Sequence, residues 1–206
     1  MLSIIEKLKI DDKIEDKYKY HPKDKEELIE LLKELFKDKN RGGVNMNLND
    51  IDTSKITDMS YLFEQFTYIE NINISEWDVS HVRNMKGMFR NCQYFKCDLN
   101  DWDVLRVEDM SYMFDNSVFF ESDLSKWNVS NVKNMDYMFR NCHKFNSDIS
   151  KWNIKKVKSM GWMFDSCYNF EQDLSNWNID KVKTISGMFR DCSKMPIEKR
   201  PKKNKK

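Results

Sequence analysis

Three sets of side chains in this sequence have types that could do chemistry: three histidines, five cysteines and a recurring aspartate. His21, His81 and His143 form no H-E-x-x-H or comparable metal pair, and neither a G-x-S-x-G elbow nor a phosphate loop accompanies them. A cysteine nucleophile would need Cys92 or Cys142 beside a histidine. Yet Cys92, Cys142, Cys167 and Cys192 share one repeat position, which reads as a file of buried, small apolar side chains. Cys142, Cys167 and Cys192 on adjacent turns fall within disulfide reach, and would stay thiols in a reducing compartment. Cys97 lies off that file. Asp98, Asp123, Asp148 and Asp173 place one carboxylate in each of four successive repeats. Each either accepts backbone N–H bonds in its own turn or shares a Ca²⁺ with its neighbours. The glycine-rich nonapeptide of Ca²⁺-binding repeats is absent. No catalytic residue, no metal ligand and no cofactor is assigned.

The chain that positions these groups has 206 residues, 40% hydrophobic and 13% aromatic, with no alanine. That aromatic load argues for a folded core despite a mean hydropathy of −0.78. Lys plus Arg (35) nearly balances Asp plus Glu (34), so no global field marks a nucleic-acid binder. No apolar run approaches the ~20 residues of a membrane helix. The first residues, MLSIIEKLKIDDKIEDK, show neither a signal-peptide core nor a lipobox cysteine.

Trp77, Trp102, Trp127, Trp152 and Trp177 recur every 25 residues. One unit carries Leu124, Trp127, Val129, Val132, Met135, Met138, Phe139, Cys142 and Phe145 at its apolar positions, and a degenerate first unit starts at Leu48. A single unit of this length cannot bury its own apolar face, so neighbours must. The two-residue step Trp127–Val129 suits a short strand, and Met135 to Phe145 suit one face of a short helix. Asp58, Asn84, Asp109, Asn134, Ser159 and Thr184 precede that segment, and all can cap a helix start. The spacing therefore predicts an α/β solenoid, a right-handed stack of six ~25-residue strand–helix turns.

Residues 22–38 form an amphipathic helix candidate with Leu28, Leu31, Leu32, Leu35 and Phe36 on one face, ended by Arg41-Gly42-Gly43. Before it lie a short apolar helix candidate, Leu2 to Ile10, and a Tyr18/Tyr20 alternation. The organisation expected is an N-terminal helical capping region over 1–47, the repeats over 48–197, and a basic, disordered tail over 198–206. Between the apolar positions of the strand segment, the exposed side chains are Glu76, Asp78, Asp101, Asp103, Lys126, Asn128, Lys151, Asn153, Asn176 and Asn178. These vary while the core letters repeat, as a partner-reading face would.

The string V-x-x-M-x-x-M-F-x-x-C-x-x-F resembles the V-x-x-I-x-x-x-A-F-x-x-C-x-x-L pattern of BspA-like leucine-rich-repeat surface proteins. The unit from Asp123-Leu124-Ser125 through Phe139 is more closely similar to the 25-residue repeat of the mycoplasma lipoprotein-associated, BspA-related family. Tyr20-His21-Pro22-Lys23, Glu26-Glu27-Leu28 and Asp50-Ile51-Asp52-Thr53 resemble the start of many such proteins. The resemblance implies a leucine-rich-repeat-like fold and a cell-surface or secreted, adhesin-like role. The missing signal and lipobox leave the cytoplasm open as well. The expected function is a non-enzymatic interaction module, a monomer, binding a protein or glycan through the strand face. The alternative is an intracellular scaffold or effector-like protein whose basic tail docks to a membrane or nucleic acid.

Overall fold

The computed structural model describes residues 4–8, 17–37, 46–64 and 66–203. Its regular elements are few: α1 (Ile4–Leu8), α2 (Lys25–Lys37), β1 (Met46–Asn47), β2 (Ile72–Asn73) and a 3₁₀ turn over Ile197–Lys199. β1 and β2 pair in parallel, Met46 with Ile72 and Asn47 with Asn73. The expected α/β solenoid of strand–helix turns is overturned, because from residue 74 to 196 the repeats contain neither a helix nor a strand.

The reason lies in what a spacing of three means here. The apolar steps that imitate a strand and a helix are β-turns, closed by i→i+3 hydrogen bonds. In the fourth unit the Trp127 N–H donates to Leu124, Val132 to Val129, Met138 to Met135, Cys142 to Phe139 and Phe145 to Cys142, at 2.9–3.3 Å. A helix is also excluded by backbone sign. Tyr137 and Asn141 have φ of 59°, and matching residues do the same in other units: Tyr112, Asn116, Trp162, Ser166, Gly187 and Asp191. Two left-handed residues in five break any α-helical run.

Those left-handed residues aim alternate N–H groups along the molecule. Met135, Tyr137, Phe139 and Asn141 donate to the carbonyls of Ser159, Gly161, Met163 and Asp165, at 2.8–2.9 Å. The N–H groups between them close the in-unit turns, as Met138 to Met135 and Arg140 to Tyr137 show. The pairing between units is reduced to single parallel bridges, Asp58–Asn84–Asp109–Asn134–Ser159–Thr184. These are the positions expected to cap helices. Their side chains do accept an N–H two residues on, but into a turn: Ser60 donates to Asp58, Lys86 to Asn84, Ser111 to Asp109 and Asp136 to Asn134.

The core is one continuous cluster running the length of the repeats. Phe63, Phe89, Phe114, Phe139, Phe164 and Phe189 stack in file, with centroids 5.3–5.7 Å apart. A second file, Phe95, Phe120, Phe145 and Phe170, runs beside it at 5.8–6.1 Å. Trp77, Trp102, Trp127 and Trp152 are buried, and their indole N–H groups donate to carbonyls of the preceding unit at 2.7–3.1 Å.

At the N-terminal end, α2 buries Leu28, Leu31, Leu32 and Phe36. Phe36 meets Phe66 at 4.6 Å, and Lys25 Nζ donates to Ser60 at 2.6 Å. Of the Tyr18/Tyr20 alternation, Tyr20 forms a parallel bridge with Ile51. α1 covers part of the Leu2 to Ile10 candidate, whose remaining residues lie outside the described ones, as does Arg41-Gly42-Gly43. In the tail, the Leu174 N–H donates to the Lys199 carbonyl, and Lys203 Nζ to the Val182 carbonyl, both at 2.9 Å.

Candidate functional surfaces

With no strand over residues 74–196, the residues expected to form a strand face sit between tight turns. Glu76, Asp101, Lys126, Lys151 and Asn176 are exposed. Lys126 Nζ pairs with Asp101 at 2.7 Å, which raises the proton affinity of that lysine. The partner set, Asp78, Asp103, Asn128, Asn153 and Asn178, is committed to the backbone. Each side-chain oxygen accepts the N–H two residues on, at 2.9–3.3 Å. Half of the expected face is therefore turn-forming, and half is free to vary.

The aspartate file behaves in the same way. Asp98, Asp123, Asp148 and Asp173 accept N–H from Asn100, Ser125, Ser150 and Ser175 at 2.9–3.0 Å. The Ser125 backbone N–H holds the Asp123 carboxyl below its ordinary range, and the Ser150 and Ser175 hydroxyls do so first for Asp148 and Asp173. Among the described residues, no group of three or more His, Cys, Asp or Glu side chains could hold a metal ion.

The cysteines are free thiols. Cys142 and Cys167 are fully buried and point at the carbonyls of Phe114 and Phe139, 3.0 and 2.8 Å away. Burial pushes both thiols well up, and Cys192 to about 12, which disfavours the thiolate form at all three. The His143 ring lies 4.6 Å from that of Tyr168, tilted by 35°.

Two files escape a reading confined to apolar letters. The first alternates in charge: Glu64, Arg90, Asp115, Arg140, Asp165, Arg190. Arg90 contacts Glu64 at 3.0 Å and Asp115 at 3.2 Å. Arg140 clasps Asp115 through Nε at 2.7 Å and a terminal nitrogen at 2.9 Å, and Arg190 grips Asp165 with two bonds of 2.8 Å. Asp115 and Asp165 are buried, and these bonds satisfy their carboxylate oxygens.

The second file is Tyr61, Gly87, Tyr112, Tyr137, Trp162, Gly187, every member at positive φ. Tyr112 stacks on Tyr137 at 4.7 Å, and Tyr137 on Trp162 at 6.3 Å. Arg140 covers Tyr137 at 4.9 Å, and Arg190 covers Trp162 at 4.6 Å. The two glycines are required by their neighbours: a Cβ on Gly87 would lie 2.4 Å from the Tyr61 ring, and one on Gly187 2.4 Å from the Trp162 ring. The sequence signal for both files was available. It is the 25-residue period read at polar and glycine positions.

A third surface is basic. Lys158 donates its backbone N–H to Lys133, and Lys183 to Lys158, both at 2.8 Å, so these lysines are neighbours in file. Lys155, Lys156 and Lys181 are exposed beside them. Glu108 answers only the near end, through Lys133 and Arg83, and the Lys133 bond holds its carboxyl below the usual range.

These features define a tandem-repeat protein whose units are joined by turn-borne backbone bonds and lined by side-chain files. A family model described as "Mycoplasma protein of unknown function, DUF285" matches residues 30–142 and 119–201, and the chain belongs to that family. No curated protein and no solved structure matches the chain significantly.

Proposed function

We propose that the protein is a non-enzymatic interaction module that binds a partner protein through the aromatic–arginine row of Tyr112, Tyr137, Trp162, Arg140 and Arg190. The observation that carries this reading is the row's backbone. Bulky aromatic residues at positive φ are strained, and such strain gathers where a side chain must be presented in one direction. Tyr, Trp and Arg are also the residues on which protein interfaces concentrate their binding energy. The rings lie face to face or under guanidinium groups, so they offer edges and charge rather than the open faces on which sugars stack. The repeat string's resemblance to BspA-like surface proteins supports an adhesin-like setting for such contacts.

The test replaces ring by glycine, which the same file already carries at 87 and 187. Purified chain is applied to protein and glycan arrays alongside the Tyr112→Gly/Tyr137→Gly variant. A protein ligand whose affinity falls roughly tenfold or more in the variant, with the melting temperature held, is the expected result. Ligands found only among glycans, or unaffected by the substitutions, contradict it.

The lysine file favours a second reading, in which the protein docks to an anionic membrane or nucleic acid. Lys203 of the tail reaches the Val182 carbonyl beside Lys183, joining the tail to the basic repeat positions. Deleting 196–206 separates the parts: binding to anionic vesicles or duplex DNA that survives the deletion belongs to the repeats and not to the tail.

A further inference from the structure

The outer edge of the last unit repeats a pattern that ends in a bond at every described donor of the earlier units. Met160, Trp162, Phe164 and Ser166 donate their N–H groups to the carbonyls of Thr184, Ser186, Met188 and Arg190 at 2.8–2.9 Å. The corresponding donors one unit later are Ile185, Gly187, Phe189 and Asp191, and these have no acceptor among the described residues. Gly187 and Asp191 have φ of 63° and 53°, the same left-handed turns as in earlier units. Successive N–H groups turned out in this way form an acceptor-binding edge.

The apolar cross-section is only partly covered at the same place, where the Arg200 guanidinium lies 5.3 Å from the Phe189 ring. Ile185 and Phe189 are half-buried, whereas their counterparts Met160 and Phe164 are fully buried. With Ile179, Arg190 and Arg200 they line a pocket of about 360 Å³. The charge file adds a third mark. Arg90 sits between two acids, Glu64 and Asp115, but Arg190 has Asp165 on its inner side and is itself half-exposed. Continued by one unit, the alternation calls for a carboxylate. The edge's own Asp191 stands 3.6 Å from Arg190 Nε.

We propose that this edge binds an extended acidic peptide segment of a partner protein. Carbonyls on alternate peptide residues accept from the N–H groups of 185, 187, 189 and 191, and a peptide carboxylate meets Arg190. A second copy of the chain does not fit. Two such edges would meet donor to donor, and the opposite end is covered by α2, with Lys25 on Asp58 and Ser60. The surface shares Arg190 with the aromatic–arginine row, so its test is read on the amides of 185, 187, 189 and 191 and on the peptide's own last residue, neither of which belongs to that row.

The probe is a labelled, end-blocked peptide with the sequence DMSYMFD, that of residues 109–115, the segment that follows Arg90 along the charge file. It is titrated into the ¹⁵N-labelled full chain. The expected result is saturable binding with amide shifts centred on 185, 187, 189 and 191. Affinity falls about tenfold when the peptide ends in Lys instead of Asp, a change that leaves the protein untouched. Arg190→Gln lowers it similarly, with the shifts of residues 85–141 unchanged as a fold control. Shifts elsewhere, no binding, self-association in place of peptide binding, or inorganic phosphate reproducing the shifts while the peptide does nothing would each overturn the proposal.

Discussion

At the scale of single residues, the fold depends on side chains that either permit a left-handed backbone or pin a turn. Gly87 does the first under the Tyr61 ring. Gly87→Ala should cost about 1–3 kcal/mol in denaturant unfolding, from strain and overpacking together. Adding Tyr61→Ala should recover the steric part and leave the conformational part. Gly161, at ordinary φ with its nearest contact at 3.2 Å, should tolerate alanine better. The aspartates do the second. Asp123, Asp148 and Asp173 have folded-state affinities for protons below those of the unfolded chain. The stability they contribute is present above the unfolded value near pH 4 and is lost as pH falls through the lower folded values. Asparagine keeps the accepting oxygen, as Asn73 does for Ser75. The triple variant Asp123→Asn/Asp148→Asn/Asp173→Asn should therefore be less stable than the parent near pH 7 and lose less stability between pH 4 and 2, so that the two curves converge in acid. Asp115→Asn differs in kind. It leaves Arg90 and Arg140, both partly exposed, facing a neutral amide and should cost about 1–3 kcal/mol.

At the scale of elements, the sequence showed the period, the register and the core almost completely. The five tryptophans in register, the Met and Phe files and the buried cysteines all lie where a 25-residue repeat puts them. The local conformation was not legible, because apolar steps of three satisfy a helical face and a β-turn equally well. The tie-breaker was the pair of left-handed positions, visible as Gly87 and Gly187 in one file and Asn91, Asn116 and Asn141 in the other. Tyrosine and tryptophan in the first file hid it. The candidate surfaces were half legible. Exposed positions were found, but the turn-forming duty of Asp78, Asp103, Asn128, Asn153 and Asn178 was not. The helix α2 was legible because its apolar face runs from Leu28 to Phe36 at helical spacing with acids leading. Leu31 and Leu32 are fully buried on it. Leu31→Ala should cost about 2–5 kcal/mol in chemical denaturation, with loss concentrated in the first unit by hydrogen exchange.

At the scale of the whole molecule, rigidity comes from bonds between neighbours, and each surface file is a product of that regularity. Thiol access reports on it. Cys92, Cys142, Cys167 and Cys192 are buried, while Cys97 is half-buried near the surface. The native chain should label first at Cys97 with a soluble thiol reagent, and at all five positions only in denaturant. No helix of the described residues is long and apolar enough to cross a membrane. Fractionation with surface protease treatment would therefore separate the adhesin-like setting from the scaffold one.

The most direct measurement is the backbone chemical shifts and HN–Hα couplings of the full chain across residues 109–166. The turn-built repeat predicts left-handed values at Tyr112, Asn116, Tyr137, Asn141 and Trp162, interrupting any helical run. Continuous helical shifts from Met135 to Phe145 would contradict it.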